Sequence, residues 1–177
     1  MRRLIYTLAL VLAVTSCEKD PFETFLGKKS YSPRTDTIWD ISPICVMMEV
    51  TDSLGNNLFS DSNPNNWLQK DFSASFNGED FYWPSSSTKA YLAILKGLYL
   101  YPDPKWEKTD KVCLCFGELD GTAKWDSDLH IYWPDGSNDK IRIQHAFRWD
   151  EDGNPDFYTG FKLNGMPIQG SIIHLVR

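Results

Sequence analysis

Apolar and polar residues alternate with a period of two along most of this chain from residue 44 onward. Ile44, Val46, Met48 and Val50 fall on one face of an extended segment, with Cys45, Met47 and Glu49 on the other. That spacing predicts a half-buried strand. Asp52 to Asn57 follows as a turn leading into Leu58-Phe59. Phe72, Ala74 and Phe76 alternate up to Asn77-Gly78, a two-residue hairpin signal, and Phe81-Tyr82-Trp83 returns. Tyr91 to Tyr101 is an apolar and aromatic run, with Gly97 read as a bulge. Three more stripes follow: Val112, Leu114, Phe116; Leu129, Ile131, Trp133; and Ile141, Ile143, His145, Phe147, Trp149. Phe157 to Leu163 turns at Asn164-Gly165, and Ile168 to Val176 completes the pattern. Eight or nine short strands with no amphipathic helix predict an all-β fold, an antiparallel β-sandwich. An immunoglobulin-like arrangement is open, although no Cys-Trp-Cys core is evident, and a β-barrel is the runner-up.

One hairpin can be registered from this pattern. Pairing Trp133 with Ile141 sets Ile131 against Ile143 and Leu129 against His145, keeping apolar partners on one face. Asp128, His130 and Tyr132 then look outward, opposite Ala146, Gln144 and Arg142. His145 is expected to be a hydrogen-bonded buried histidine, and Trp133 and Trp149 to be core.

The N-terminus breaks the alternation. Met1-Arg2-Arg3 is basic, Leu4 to Val14 is almost wholly apolar, and Val14-Thr15-Ser16-Cys17 ends in small residues before a cysteine. The layout is that of a secretory signal peptide, and the run is about half the roughly 20 residues needed to span a bilayer. Val14 to Cys17 resembles the lipobox of bacterial lipoproteins. The resemblance implies cleavage before Cys17 and acylation of its sulfur. Residues 1–16 are then the signal peptide, 17–37 a lipidated N-terminus and flexible tether, and 38–177 a single domain. Glu18-Lys19-Asp20 resembles the short export signal of surface-exposed lipoproteins of the Bacteroidota, which favours the outer membrane and its external face.

Cleavage leaves 161 of the 177 residues, one ordinary domain. It removes Arg2 and Arg3 and no acid, moving the formal charge from −6 to −8. So acidic a chain is a poor partner for nucleic acid, and its membrane attachment must come from the lipid. Cys45, Cys113 and Cys115 remain. Cys113 and Cys115 are too close along a strand to pair comfortably, since alternate residues stand roughly 6.6 Å apart. Three small buried thiols are preferred to a disulfide from Cys45 to either.

Candidate chemistry is sparse. His130, His145 and His174 sit in no metal-ligand motif. There is no Gly-x-Ser-x-Gly elbow, Ser85-Ser86-Ser87 reads as a loop, and no glycine-rich phosphate loop occurs. No catalytic residues and no cofactor are assigned, and enzyme activity is not expected. Asp150, Asp152, Asn154 and Asp156 are the best metal lookalike, oxygen ligands at alternate places as calcium prefers. Gly153 and Pro155 are misplaced for a calcium loop, so an acidic turn is preferred. Trp39, Trp67, Trp106 and Trp125 lie in polar, turn-rich stretches. They are candidates to stack on sugar rings or anchor a protein partner, although plugging the ends of a sandwich is the preferred reading.

Together with the lipobox, Asp52 to Phe59 (DSLGNNLF), Phe116 to Asp120 (FGELD), Ile131 to Gly136 (IYWPDG) and Lys162 to Gly165 (KLNG) make the chain similar to small β-sandwich lipoproteins of the Bacteroidota cell envelope. That resemblance implies a lipid-anchored envelope protein. It carries over no catalytic residues and leaves the partner, a glycan or an envelope protein, open. A structural accessory role in a surface complex is the alternative.

Overall fold

The computed structural model describes residues 19–83, 97–102 and 111–177. The lipobox, Ser85-Ser86-Ser87, most of the 91–101 run and Trp106 lie outside them. Among the described residues there is one helix, α1 (Pro21–Leu26), and ten strands. These are β1 (Ile44–Thr51), β2 (Phe72–Phe76), β3 (Glu79–Trp83), β4 (Leu98–Tyr101), β5 (Cys113–Leu119), β6 (Trp125–Tyr132), β7 (Asn138–Trp149), β8 (Pro155–Leu163), β9 (Met166–Pro167) and β10 (Ile172–Val176). They form a four-stranded sheet, β10-β1-β5-β4, and a six-stranded sheet, β3-β2-β6-β7-β8-β9. The fold is the expected β-sandwich, antiparallel except where β10 runs parallel to β1.

The period-two stripes become the core. Val46, Met48 and Val50 from β1, Leu114 and Phe116 from β5, and Leu129, Ile131, Ile141 and Ile143 from β6 and β7 form one buried cluster. Phe116 joins the sheets, its ring 5.4 Å from that of Phe76 and 5.2 Å from that of Phe81. Burying each such side chain stabilises the fold by about 1.5–3 kcal/mol.

Turn chemistry sets the strand pairing. Asn77-Gly78 and Asn164-Gly165 have positive φ at both residues, as a type I′ hairpin turn requires. Trp133–Ser137 is a tighter closure than expected. The Trp133 amide donates to the Ser137 carbonyl at 2.9 Å, the Gly136 amide donates back to Trp133, and Gly136 takes φ +83°. This loop pairs Leu129 with Ile141 and Trp125 with His145, correcting the expected register by four residues. An even shift preserves the faces, so Asp128, His130 and Tyr132 still look outward, now opposite Arg142, Lys140 and Asn138.

The segment 17–37 is not the loose tether expected, at least from Lys19 onward. Asp20 caps α1, accepting from the Phe22 amide at 2.9 Å, and its other oxygen takes the Lys162 ammonium at 2.9 Å. Phe22 and Phe25 are buried on Ala146 of β7, with Tyr158 of β8 alongside. A six-residue helix is too short to persist alone; tertiary burial holds it. Beyond α1 the chain is strapped down. The Tyr31 amide donates to Trp149, Arg148 donates to the Lys29 carbonyl, and the Arg34 amide donates to Gly153. Because Ala146 and Gln144 alternate with the core-facing residues of β7, α1 covers the outer face of the six-stranded sheet.

Candidate functional site

Two five-residue loops share one design. In Asp52-Ser53-Leu54-Gly55-Asn56 the aspartate accepts from the amides of Leu54 and Asn56, both at 2.9 Å, and from the Asn56 side-chain amide at 2.9 Å. In Asp150-Glu151-Asp152-Gly153-Asn154 it accepts from the amides of Asp152 and Asn154 at 2.9 and 2.8 Å. Each glycine has positive φ and each loop closes a chain reversal. The metal lookalike is therefore an acidic turn. Its lead carboxylate is occupied by its own backbone, and Asp156 is ion-paired with Arg148. Among the described residues no group of three or more His, Cys, Asp and Glu is arranged to hold a metal ion.

The Asp52 loop opens an irregular stretch stapled by amides. Asn57, 8% exposed, donates to the Val112 carbonyl at 2.7 Å and accepts from the Phe59 amide at 2.8 Å. Asn63, 4% exposed, donates to the Asn57 carbonyl at 3.1 Å and accepts from the Asn65 amide at 2.9 Å. Asn66 donates to the Asn63 carbonyl at 2.8 Å. Local bonds from Asn to the backbone replace the ladder bonds that this stretch lacks. Beneath it Phe59 and Trp67 pack edge to face, 6.4 Å apart, on Phe72 and Trp133, and the Trp83 indole donates to the Leu68 carbonyl.

On the outer side of this loop lies a groove of about 580 Å³ lined by Glu49, Asp52, Asn56, Ser62, Asn65 and Lys111, among others. It is a set of amide, carboxylate, hydroxyl and ammonium groups over a rigid floor. The Asp52 carboxyl is held below the usual range, first by the Asn56 side-chain bond and then by backbone amides, so it remains an acceptor at neutral pH. Glu49 accepts from His174 at 2.6 Å. Asp52, Asn56, Asn57 and Asn63 spend their side chains on holding the loop, and the exposed Asn65 stands at its rim. The buried asparagines that build it were missed from sequence, where Asn read only as turn punctuation.

Among the described residues, Trp39, Trp67 and Trp125 do not assemble into a platform. Trp67 is buried in the core cluster. Half-buried Trp125, at the far end of β6, packs on Phe76 and donates its indole proton to the Asp120 carbonyl at 2.8 Å. These two plug opposite ends of the sandwich. Trp39 tilts against Trp149 at 6.4 Å, and Trp149 packs on Phe147 at 5.1 Å. Trp149 is half-buried at the end of β7, outside the main core, because the stripe runs past the sandwich there. Trp133 is core as expected.

His145 is buried, with Nε2 2.9 Å from the Gly121 carbonyl and Nδ1 2.8 Å from the Thr159 hydroxyl. A carbonyl only accepts, so Nε2 carries the proton and Nδ1 of the neutral ring accepts from Thr159. Cys45, Cys113 and Cys115 are free thiols on the outer face of the four-stranded sheet. Burial pushes the Cys115 thiol up to about 12, with Cys113 and Cys45 adding to the effect.

Comparison with family models, with curated proteins and with solved structures gives no match.

Proposed function

We propose that this protein is a lipid-anchored, non-catalytic binding module of the bacterial outer membrane, held by acyl chains on Cys17 and contacting its ligand at the Asp52–Asn65 groove. The observation that carries the binding reading is the groove itself. The loop that carries its lining is held by the buried Asn57 and Asn63 before any ligand arrives, which lowers the ordering cost of recognition. An amide from Asn65 and a carboxylate from Glu49 at the groove rim suit the paired hydroxyls of a glycan. The acidic balance speaks against nucleic acid. The lipobox and Glu18-Lys19-Asp20 support the location.

A glycan-array screen of the full lipidated chain in nanodiscs tests the groove. Binding to one glycan class should fall at least tenfold in Asn65→Ala and Glu49→Gln. Binding that ignores both changes rejects the groove. Globomycin treatment, or Cys17→Ala, should abolish processing and membrane fractionation.

The outer face of the four-stranded sheet favours a second reading, a structural accessory subunit. Met47, Tyr99, Ile172, and the exposed Tyr101 and Val176 share that face with the three thiols. Its exposed members, Tyr101 and Val176, are the part available for packing against an envelope protein.

A further inference from the structure

We infer that the bilayer surface is itself a partner of the α1 face, so that the domain is clamped against the membrane in one orientation instead of swinging on a tether. The inference rests on the acylation of Cys17 proposed above. Its new content comes from the position of Asp20. Two residues, Glu18 and Lys19, separate the two, and an extended chain spans at most about 3.6 Å per residue, so the Cys17 backbone lies within roughly 11 Å of the Asp20 backbone. Asp20 in turn is fixed to the sandwich by Lys162 and by the cap of α1, and α1 by the burial of Phe22 and Phe25. The anchor therefore reaches the lipid from the outer face of the six-stranded sheet and from no other side.

That face is equipped for close approach. Lys124 lies over the Phe22 ring at 5.8 Å and Lys28 over the Phe25 ring at 5.3 Å. Lys19 and Lys28 line a shallow depression with Thr24, while Lys140 and Arg142, in a second one, are already ion-paired with Asp128 and Asp126, so the cations turned to the headgroups are Lys19, Lys28 and Lys124. Cations ringing the attachment point offset locally the acidity that would otherwise hold the domain off phosphate headgroups. Glu49 stands on the outer face of the opposite sheet, so the groove and the thiol face are turned away from the lipid.

Neutron reflectometry of the full lipidated protein on a supported bilayer tests this. The wild-type protein layer should begin at the headgroups, without a water-rich layer between. Phe22→Ala/Phe25→Ala should release residues 18–29 as a coil and open a gap of about 20 Å, following the square-root scaling of flexible chains. It should also speed tryptic cleavage at Lys28 and Lys29. The two phenylalanines belong to a satellite cluster apart from the main core, and an unchanged near-ultraviolet circular dichroism spectrum checks that the body persists. Lys162→Ala, a milder change, should widen the gap less. A wild-type layer already separated by the gap of the double variant overturns the clamp while leaving the anchor standing. A protein that the bilayer does not retain at all overturns the anchorage, and the clamp with it.

Discussion

The indole nitrogen of Trp133 lies 2.9 Å from a carboxylate oxygen of Asp139, although Asp139 is on the core-facing side of β7 and only 3% exposed. The other oxygen accepts from the Asn164 side chain at 2.8 Å. Arg177 completes the group, ion-paired with Asp139 and lying 5.5 Å over the Trp133 ring. A buried carboxylate is tolerated only when its lone pairs are met, and here three elements converge on one. Asp139→Ala leaves the mostly buried Arg177 without its partner and should destabilise the fold by about 3–5 kcal/mol. Urea unfolding should show a lower midpoint at unchanged slope. Trp133→Phe keeps the ring packing, loses one charge-assisted bond, and should cost less, about 1.5–3 kcal/mol.

His145 makes stability depend on acid. Burial holds its imidazole below the ordinary value near 6.5, outweighing the Gly121 bond and the Asp120 charge that act the other way. The unfolded chain therefore binds the proton more readily. The contribution of this site is fully present above about pH 6.5, falls as pH drops below that value, and levels off beneath the folded-state value. Urea midpoints of wild type and His145→Gln, compared between about pH 8 and pH 5, should converge toward the acid end. A difference that does not change with pH assigns the acid loss elsewhere.

Gly153 and Gly136 both take positive φ, yet their surroundings differ. A Cβ at Gly136 meets nothing within 4 Å, whereas one at Gly153 comes within 2.7 Å of the Arg34 amide nitrogen and 3.0 Å of the Ser32 carbonyl. Gly136→Ala should cost only the left-handed penalty, roughly 1–2 kcal/mol. Gly153→Ala should in addition displace the strap. Faster tryptic cleavage at Arg34 in the second variant alone is the expected result.

The thiols should differ in reactivity. Burial raises both Cys113 and Cys115, the second to about 12, and a thiol reacts through its thiolate. Cys45 is only partly buried, with the Tyr99 hydroxyl 3.2 Å from its sulfur. Brief iodoacetamide treatment of the native protein near pH 8 should label Cys45 ahead of the other two, as mapped by peptide mass spectrometry.

Much of the sandwich was legible because alternation reports burial directly. Val46, Met48 and Val50, or Ile141 and Ile143, have no other arrangement that hides them all. The two Asn-Gly turns were equally plain, since each demands positive φ. Partners were harder to read. Alternation says which face a residue takes, not which strand lies beside it, so the parallel β1–β10 pairing left no local trace. The β6–β7 register slipped by four residues because Pro134-Asp135-Gly136 closes a shorter loop than the apolar pairing assumed. Helix α1 was missed because six residues with two phenylalanines establish no period. The groove was missed because Asn57 and Asn63 look like any loop asparagine until Val112 and the Asn57 carbonyl are placed next to them.

The place of β10 has a consequence for how the molecule comes into being. Met48 sits between Leu114 on one side and Ile173 on the other, so among the described residues the first strand is completed by the last. Until β10 is in place, β1 has an open flank and the four-stranded sheet is unfinished. A sheet wired this way closes in one late step that joins distant parts of the chain, instead of growing strand by strand in sequence order.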